Sequence, residues 1–298
     1  MANKNKCDLI LSGGSSKGPV HVGAIQRYLT NYDPARIVGN SSGAIWGALL
    51  ATGKTPTEIE KITLETKFDK YVDTDVNPKT LLRLTQKGYI SDGVKLKKLF
   101  NRLFENKTIG ETKIPLWVAT TNITKNRLEF FSSESTPDIP ISQAVMASSC
   151  IPLLFKSVKI DGCLYVDGGM FADFPVDIFE IKSISNCHGA PKGSKDQTLG
   201  CIIEGNQAFA SVKQSDGIFG WIDALVDTWV EAGIKRSLDN APKDVIIART
   251  TGLGIDTLNF DLDENTKLSL ISEGYSAASK ALADAGMSGL KIGKLRKN

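Results

Sequence analysis

The stretch LILSGGSSKGPVHVGAI, residues 9–25, narrows the folds open to this chain more than any other. An apolar run enters a glycine turn and emerges as a helix beginning near Pro19. The pattern repeats at once in RIVGNSSGAIWGALLATG, residues 36–53, where a β-branched run, a turn and a small-residue helix follow each other. A helix between two strands carries the chain back to the edge it left, so the strands lie side by side and parallel. PLWVATTN, LEFFSS and LGCIIEG supply further short β-branched runs. The expected fold class is α/β, with a largely parallel central sheet and helices on both faces. At 298 residues and 41% hydrophobic the chain is long enough for one sizeable domain over 1–298, and no internal repeat or linker divides it. The polar SISNCHGAPKGSKDQT, residues 183–198, reads as a long surface loop within that domain.

Unpaired N–H groups at a glycine turn before a helix attract negative charge, which leaves two candidates: a nucleotide phosphate or the oxyanion of an ester under attack. The phosphate motifs fail. Lys17 is followed by Gly18 rather than a hydroxyl residue, and no glycines have the G-x-G-x-x-G spacing. The oxyanion alternative needs a nucleophile, and Gly39-Asn40-Ser41-Ser42-Gly43 provides a G-x-S-x-G between a strand and a helix. Ser41, flanked symmetrically by Gly39 and Gly43, is the central residue, and Ser42 is the helix-start residue.

A serine nucleophile needs a base, and the chain has only two histidines. His21 sits inside the helix after the glycine turn and reads as a structural histidine. His188 sits in the polar loop, where an imidazole is poorly held. The scarcity favours a carboxylate. In KIDGCLYVDGGMFADFPV, Asp167 ends an apolar run and precedes Gly168 and Gly169, whereas Asp161 before Gly162 reads as a hairpin turn.

Composition excludes other classes. A net charge of +3 with no block of like charges argues against nucleic acid. Five scattered cysteines argue against a disulfide framework, and two histidines without C-x-x-C argue against structural zinc; no metal or cofactor is expected. The polar MANKNK start lacks a secretory core and no apolar run reaches membrane-span length, so the expected setting is cytoplasmic, with peripheral contact at membranes. Residues 78–107 hold eight basic and two acidic side chains, the whole positive excess of the protein. That segment reads either as a solvated helix face over a core or as a patch facing anionic membranes. In residues 217–233, GIFGWIDALVDTWVEAG, Ile218, Trp221, Ile222, Leu225, Val226, Trp229 and Val230 form an apolar stripe, either core or the lining of an apolar site.

Taken together, GGSSKG, GNSSGAI, ASSCIPLLF and VDGGMFADFPV resemble the patatin-like phospholipases in order and separation, and the resemblance extends over about residues 7–284. It implies an α/β-hydrolase-related scaffold carrying a Ser-Asp dyad that cleaves acyl esters of phospholipids or other acyl lipids through an acyl-serine. By that resemblance Ser41 is the nucleophile and Asp167 its base. The backbone N–H groups of Gly14, Ser15 and Lys17 form the oxyanion hole, and Gly13, Gly18, Gly39, Gly43, Gly168 and Gly169 shape the turns. Ser15 stands where the family commonly has a third glycine; a left-handed backbone there would cost roughly 1–2 kcal/mol. Asn40 and Ser42 stand where Thr and Ala are more common. The expected activity is that of a phospholipase A or lysophospholipase. The alternatives are an esterase or acyltransferase for soluble acyl compounds, and a catalytically silent lipid-binding or effector protein.

Overall fold

The computed structural model describes residues 4–72, 78–179, 187–191, 196–204 and 217–295. Strand β1 (Asn5–Leu11) passes through a single 3-10 turn (Ser15–Lys17) into α1 (Pro19–Tyr28), and β2 (Tyr32–Asn40) runs straight into α2 (Ser42–Ala51). Then come α3 (Pro56–Glu65), α4 (Pro78–Lys87), β3 (Tyr89–Ser91) and α5 (Val94–Leu103). The central part holds β4 (Leu116–Asn122), β5 (Arg127–Ser132), α6 (Ile141–Ser148), β6 (Leu153–Phe155), β7 (Val158–Ile160), β8 (Cys163–Asp167) and the short α7 (Gly169–Ala172). The described chain ends with β9 (Cys187–His188), β10 (Gln197–Ile203), α8 (Gly217–Asp239), β11 (Ile246–Thr250) and α9 (Glu264–Leu295).

The sheet has the order β11-β10-β1-β2-β4-β5-β9, with β8 on β4 and β7 on β8. β11, β10, β1, β2 and β4 pair in parallel, while β4–β5, β4–β8 and β7–β8 are antiparallel. The sheet is therefore largely parallel, as the repeated strand-turn-helix pattern requires. Alternate residues of one strand serve two cores. Leu9 and Leu11 of β1 pack in the larger cluster, with residues of α1, α2, α5, α6 and α9. Ile10 packs in the smaller cluster, with Phe174, Val176, Ile178 and Ile234 of α8.

One register explains how two distant segments meet. On β4, Ala119 is the partner of Asn40, the last residue of β2. The next residue, Thr120, is the partner of Asp167, the last residue of β8. The two strands share one edge of β4 and run toward each other, so their C-terminal ends face each other about one residue rise apart, roughly 3.3 Å. Ser41 follows the first end and Gly168 the second.

The Asp161 turn is a hairpin, with β7 pairing β8 and positive φ at Asp161 (47°) and Gly162 (79°). The expectation of a loop over 183–198 needs correction where it is described: Cys187–His188 pair in parallel with Leu128 and Glu129 of β5, because that edge of β5 has unpaired backbone groups to offer. Residues 183–186 and 192–195 lie outside the described residues. In the basic segment, Leu96, Leu99, Phe100 and Phe104 are buried while Lys95, Lys97, Lys98 and Arg102 are exposed, so α5 carries its charge on a solvated face over core. Among the described residues Cys7, Cys150, Cys163 and Cys201 are free and buried, no metal-binding cluster occurs, and no helix is long and apolar enough to cross a membrane.

Candidate active site

The turn from β2 into α2 holds Ser41 at φ 48° and ψ −119°, a conformation that non-glycine residues rarely adopt and that costs on the order of 1–3 kcal/mol. Gly39 and Gly43 make it feasible. A Cβ on Gly39 would stand 2.6 Å from the Cα of Ala44, and one on Gly43 would stand 2.4 Å from the carbonyl oxygens of both Leu11 and Ser12. The end of β1 thus lies directly against the start of α2, and the Gly43 N–H donates to the Ser12 carbonyl at 3.1 Å. That contact brings the glycine turn to the serine. The Ser41 N–H donates to Ser148 Oγ at 2.8 Å, which ties the elbow to the end of α6. Ser42 opens α2.

The glycine turn is held from three sides. His21, fully buried, bonds through Nε2 to the Ser12 carbonyl at 2.9 Å, and burial depresses its pKa to about 4, so the ring stays neutral and Nε2–H is the donor. Ser16 N–H and Oγ bond the carbonyls of Thr257 and Asp256. The Gly13 N–H donates to the Asp173 carbonyl at 3.2 Å. Gly14 adopts φ 152° and Ser15 φ 48°, so the position where a serine replaces the usual glycine is left-handed and strained. The N–H groups of Lys17 and Gly18 close the 3-10 turn onto Gly14 and Ser15 carbonyls at 3.0 and 3.2 Å. This corrects the expected donor set. Lys17 cannot offer its amide to an oxyanion, whereas none of the described backbone bonds uses the N–H of Gly14 or Ser15. The Lys17 side chain, 5% exposed, lines the cavity beside them.

Asp167 ends β8 with its carboxylate in the same cavity as Ser41, Gly14 and Ser15. The backbone fixes it: its N–H donates to the Cys150 carbonyl at 3.1 Å, and its own carbonyl accepts from Thr121 Oγ1 at 2.8 Å. The Gly169 N–H donates to Oδ1 at 2.8 Å. Burial raises the Asp167 pKa to about 6; hydrogen bonds from the Ser41 hydroxyl, the Gly169 N–H and the Asn40 amide work against that rise. A carboxylate so placed is a stronger base than one in water and is still ionised at neutral pH.

Two chambers meet at Ser41. One lies between Ile45, Trp46, Phe68, Leu96, Phe100 and Phe155 and does not include Asp167. The other includes Asp167, Asp173, Lys17 and Gly14 and is walled by Ile151, Pro152, Met170, Ile203, Trp229 and Val230. The apolar stripe of α8 therefore contributes Trp229 and Val230 to the site, whereas Trp221 and Leu225 are 50% and 58% exposed. The side chains of Ile218, Ile222 and Val226 lie outside the described residues. Asp173, which sequence reasoning passed over, is the second buried acid of the site; only its nearness to the DGG turn could have flagged it.

The profile of the patatin-like phospholipase family matches residues 9–180, more than half of the chain. The chain belongs to the patatin-like phospholipase family. The Probable lipid hydrolase of invertebrate iridescent virus 6 is 30% identical over 57% of the chain and 62% of its own length. The Bacillus subtilis protein YqhO is 25% identical over 90% of the chain and 94% of its own length. The chain thus matches about three fifths of the viral relative. Among solved structures, VipD from Legionella pneumophila superposes with a TM-score of 0.54 at 19% identity, covering 95% of this chain and 68% of that one. At that identity the likeness concerns the patatin-like fold alone.

Proposed function

We propose that this chain is a lipid acyl hydrolase working through a Ser41-Asp167 dyad. The observation that carries the reading is the strained elbow serine and the buried carboxylate of Asp167 opening into one cavity beside two backbone N–H groups that no hydrogen bond among the described residues uses. Asp167 accepts the Ser41 proton as the oxygen attacks the ester carbonyl. Gly14 and Ser15 N–H groups receive the oxyanion, each such donor being worth on the order of 10²–10³ in rate. Asp167 then gives the proton to the departing alcohol, leaving an acyl-Ser41. Water, deprotonated by the same carboxylate, releases the fatty acid.

The acid that protonates the leaving alcohol must lie on the alcohol's side. The chamber containing Asp167 is thus the alcohol side, and the chamber lined by Trp46, Leu96 and Phe100 takes the acyl chain. Both walls are apolar, which favours a substrate with hydrocarbon on either side of the scissile ester over a small soluble one. Incubation with phospholipid vesicles, with products read by mass spectrometry, should release free fatty acid, and a fluorophosphonate should label Ser41. Unlabelled Ser41 and unaltered lipid would favour the silent lipid-binding alternative instead.

Two expectations follow. With the base titrating near 6, kcat/KM should fall tenfold per pH unit below that value, because only ionised Asp167 accepts a proton. A rate independent of pH from 5 to 7 would exclude Asp167 as the base. The exposed Leu225 and Trp221 sit one and two turns along α8 from Trp229, which lines the alcohol chamber. Replacing both by Ala should weaken partition onto phospholipid vesicles by about tenfold or more, since each buried large apolar side chain contributes roughly 1.5–3 kcal/mol. Hydrolysis of a short-chain soluble ester should be unaffected. Equal vesicle binding by wild type and variant would remove α8 as the contact.

A further inference from the structure

Asp173 lies six residues past Asp167, after the short helix α7, and its side chain is 2% exposed. It lines the alcohol chamber together with Asp167. A Cβ on Gly169 would lie 3.1 Å from Oδ1 of Asp167 and 3.1 Å from Oδ1 of Asp173, so the two carboxyl oxygens are at most twice that distance apart. Between them sits Asn40, the residue before the nucleophile. Its Nδ2 donates to Asp173 Oδ1 at 3.1 Å, and its amide also supports the Asp167 carboxylate. On the other side is the glycine turn: a Cβ on Gly13 would collide with Asp173 Oδ1 at 2.1 Å. Among the described residues the second carboxyl oxygen, Oδ2, is buried without a hydrogen-bond partner, and so is the amide oxygen of Asn40.

Two orphaned acceptors in one amide–carboxyl pair are costly as they stand, and a single proton on Asp173 Oδ2 turns one of them into a donor. An anion at Asp173 would instead face the Asp167 carboxylate on one side and the oxyanion position at Gly14 on the other, in a site with little water to screen it. We propose that Asp173 is a positioning residue that serves the reaction as a neutral carboxylic acid, holding Asn40 against the dyad, and that its ionisation switches hydrolysis off. The inference rests on the dyad reading of the site.

The surroundings of Asp173 agree with a retained proton. Burial first, and the Asp167 charge second, raise its pKa to about 8, against the opposing effect of the Asn40 and Gly13 hydrogen bonds. The other groups packed around it leave that balance in place. From the glycine turn Lys17 lines the same chamber, and from α1 His21 is neutral and held by Ser12. From α8 the residue against it is Gly233, with Glu231 and Lys235 two positions to either side. The neutral form is full below about 8 and is lost as pH rises through that value, so hydrolysis should have two limbs: Asp167 ionised above about 6 and Asp173 protonated below about 8.

The test is the pH profile of kcat/KM on a soluble aryl ester and on phospholipid vesicles, for the wild-type chain and Asp173→Asn. Asparagine copies the neutral acid, with a donor and an acceptor in the same plane and no ionisation. The variant should keep the acid limb, stay within about threefold of wild type at pH 7, and lose the alkaline limb. An alkaline limb unchanged in Asp173→Asn, its absence from the wild type up to pH 9, or a folded variant inactive at pH 7 would each overturn the proposal. If the variant does not fold, isotope-edited infrared of the wild type decides: a protonated aspartic acid carbonyl band should be present at pH 7 and vanish above about 8, and a spectrum without it at pH 7 overturns the proposal. The band reports the carboxyl whether or not lipid is hydrolysed, so failure of this proposal is separable from failure of the hydrolase reading.

Discussion

Replacing Ser41 by alanine is expected to lower ester hydrolysis by about 10⁴–10⁶-fold while leaving the chain folded. Loss of a serine nucleophile removes the covalent route, and what survives is the residual effect of the oxyanion donors and of binding. Ser42 cannot take over, because its hydroxyl is buried at the start of α2. Asp167→Asn should cost on the order of 10⁴, since an amide cannot accept the proton. A stability measurement then separates chemistry from folding. Alanine inherits the φ of 48° and should melt close to wild type, whereas Ser41→Gly relieves a strained position and should be more stable by roughly 1–2 kcal/mol, although equally inactive. Fatty-acid release and thermal denaturation on the three variants check both statements. Hydrolysis persisting in Ser41→Ala, or a glycine variant no more stable than the alanine one, would contradict them.

The second large effect concerns folding. Gly43→Ala adds one carbon where the nearest atoms are two backbone carbonyl oxygens at 2.4 Å, on a strand buried in the middle of the sheet. Neither can rotate away, so the strand end and the helix start must separate, with loss of the Gly43–Ser12 hydrogen bond and of the packing around it. A cost on the order of 3–5 kcal/mol is expected, a large fraction of the 5–15 kcal/mol that keeps a domain folded. Gly47→Ala, one turn later in α2, is the control. The new carbon would meet Ile37 Cγ2 at 3.0 Å and Leu11 Cδ1 at 3.5 Å, both side-chain methyls, and the helix gains propensity of up to about 1 kcal/mol. Denaturant titrations of the two variants should differ by several kcal/mol, and equal midpoints would refute the steric account.

Local chemistry explains what the amino-acid order revealed. Strand, glycine turn and helix in residues 9–25 and 36–53 are dictated by neighbours a few positions away, so the parallel sheet, the elbow and the Asp161 hairpin could be read from them. The resemblance pointed to strain at Ser15 too, because the serine stands where the family commonly has a glycine, and the backbone there does take a positive φ. Longer-range geometry was not legible. Asp173 in ADFPV looks like an ordinary turn residue, and only the meeting of α7 with Asn40 and Gly13 makes it a buried acid. Lys17 entered the donor set through the resemblance, yet the turn tightens into a 3-10 bond that takes its amide. The split of the cavity into two chambers depends on α5 and α8, whose apolar stripes say that something is covered without saying what. The two-residue β9 was missed because a strand that short has no alternation to display.

The shared edge of β4 bears on how the protein is born. A nascent chain that has emerged only as far as β5 already carries its elbow serine and its glycine turn, but the position opposite Thr120 on the edge shared with β2 is vacant until β8 arrives. On the dyad reading the polypeptide thus carries a nucleophile without its base until β8 is made, and β10 and β11 extend the sheet only afterwards.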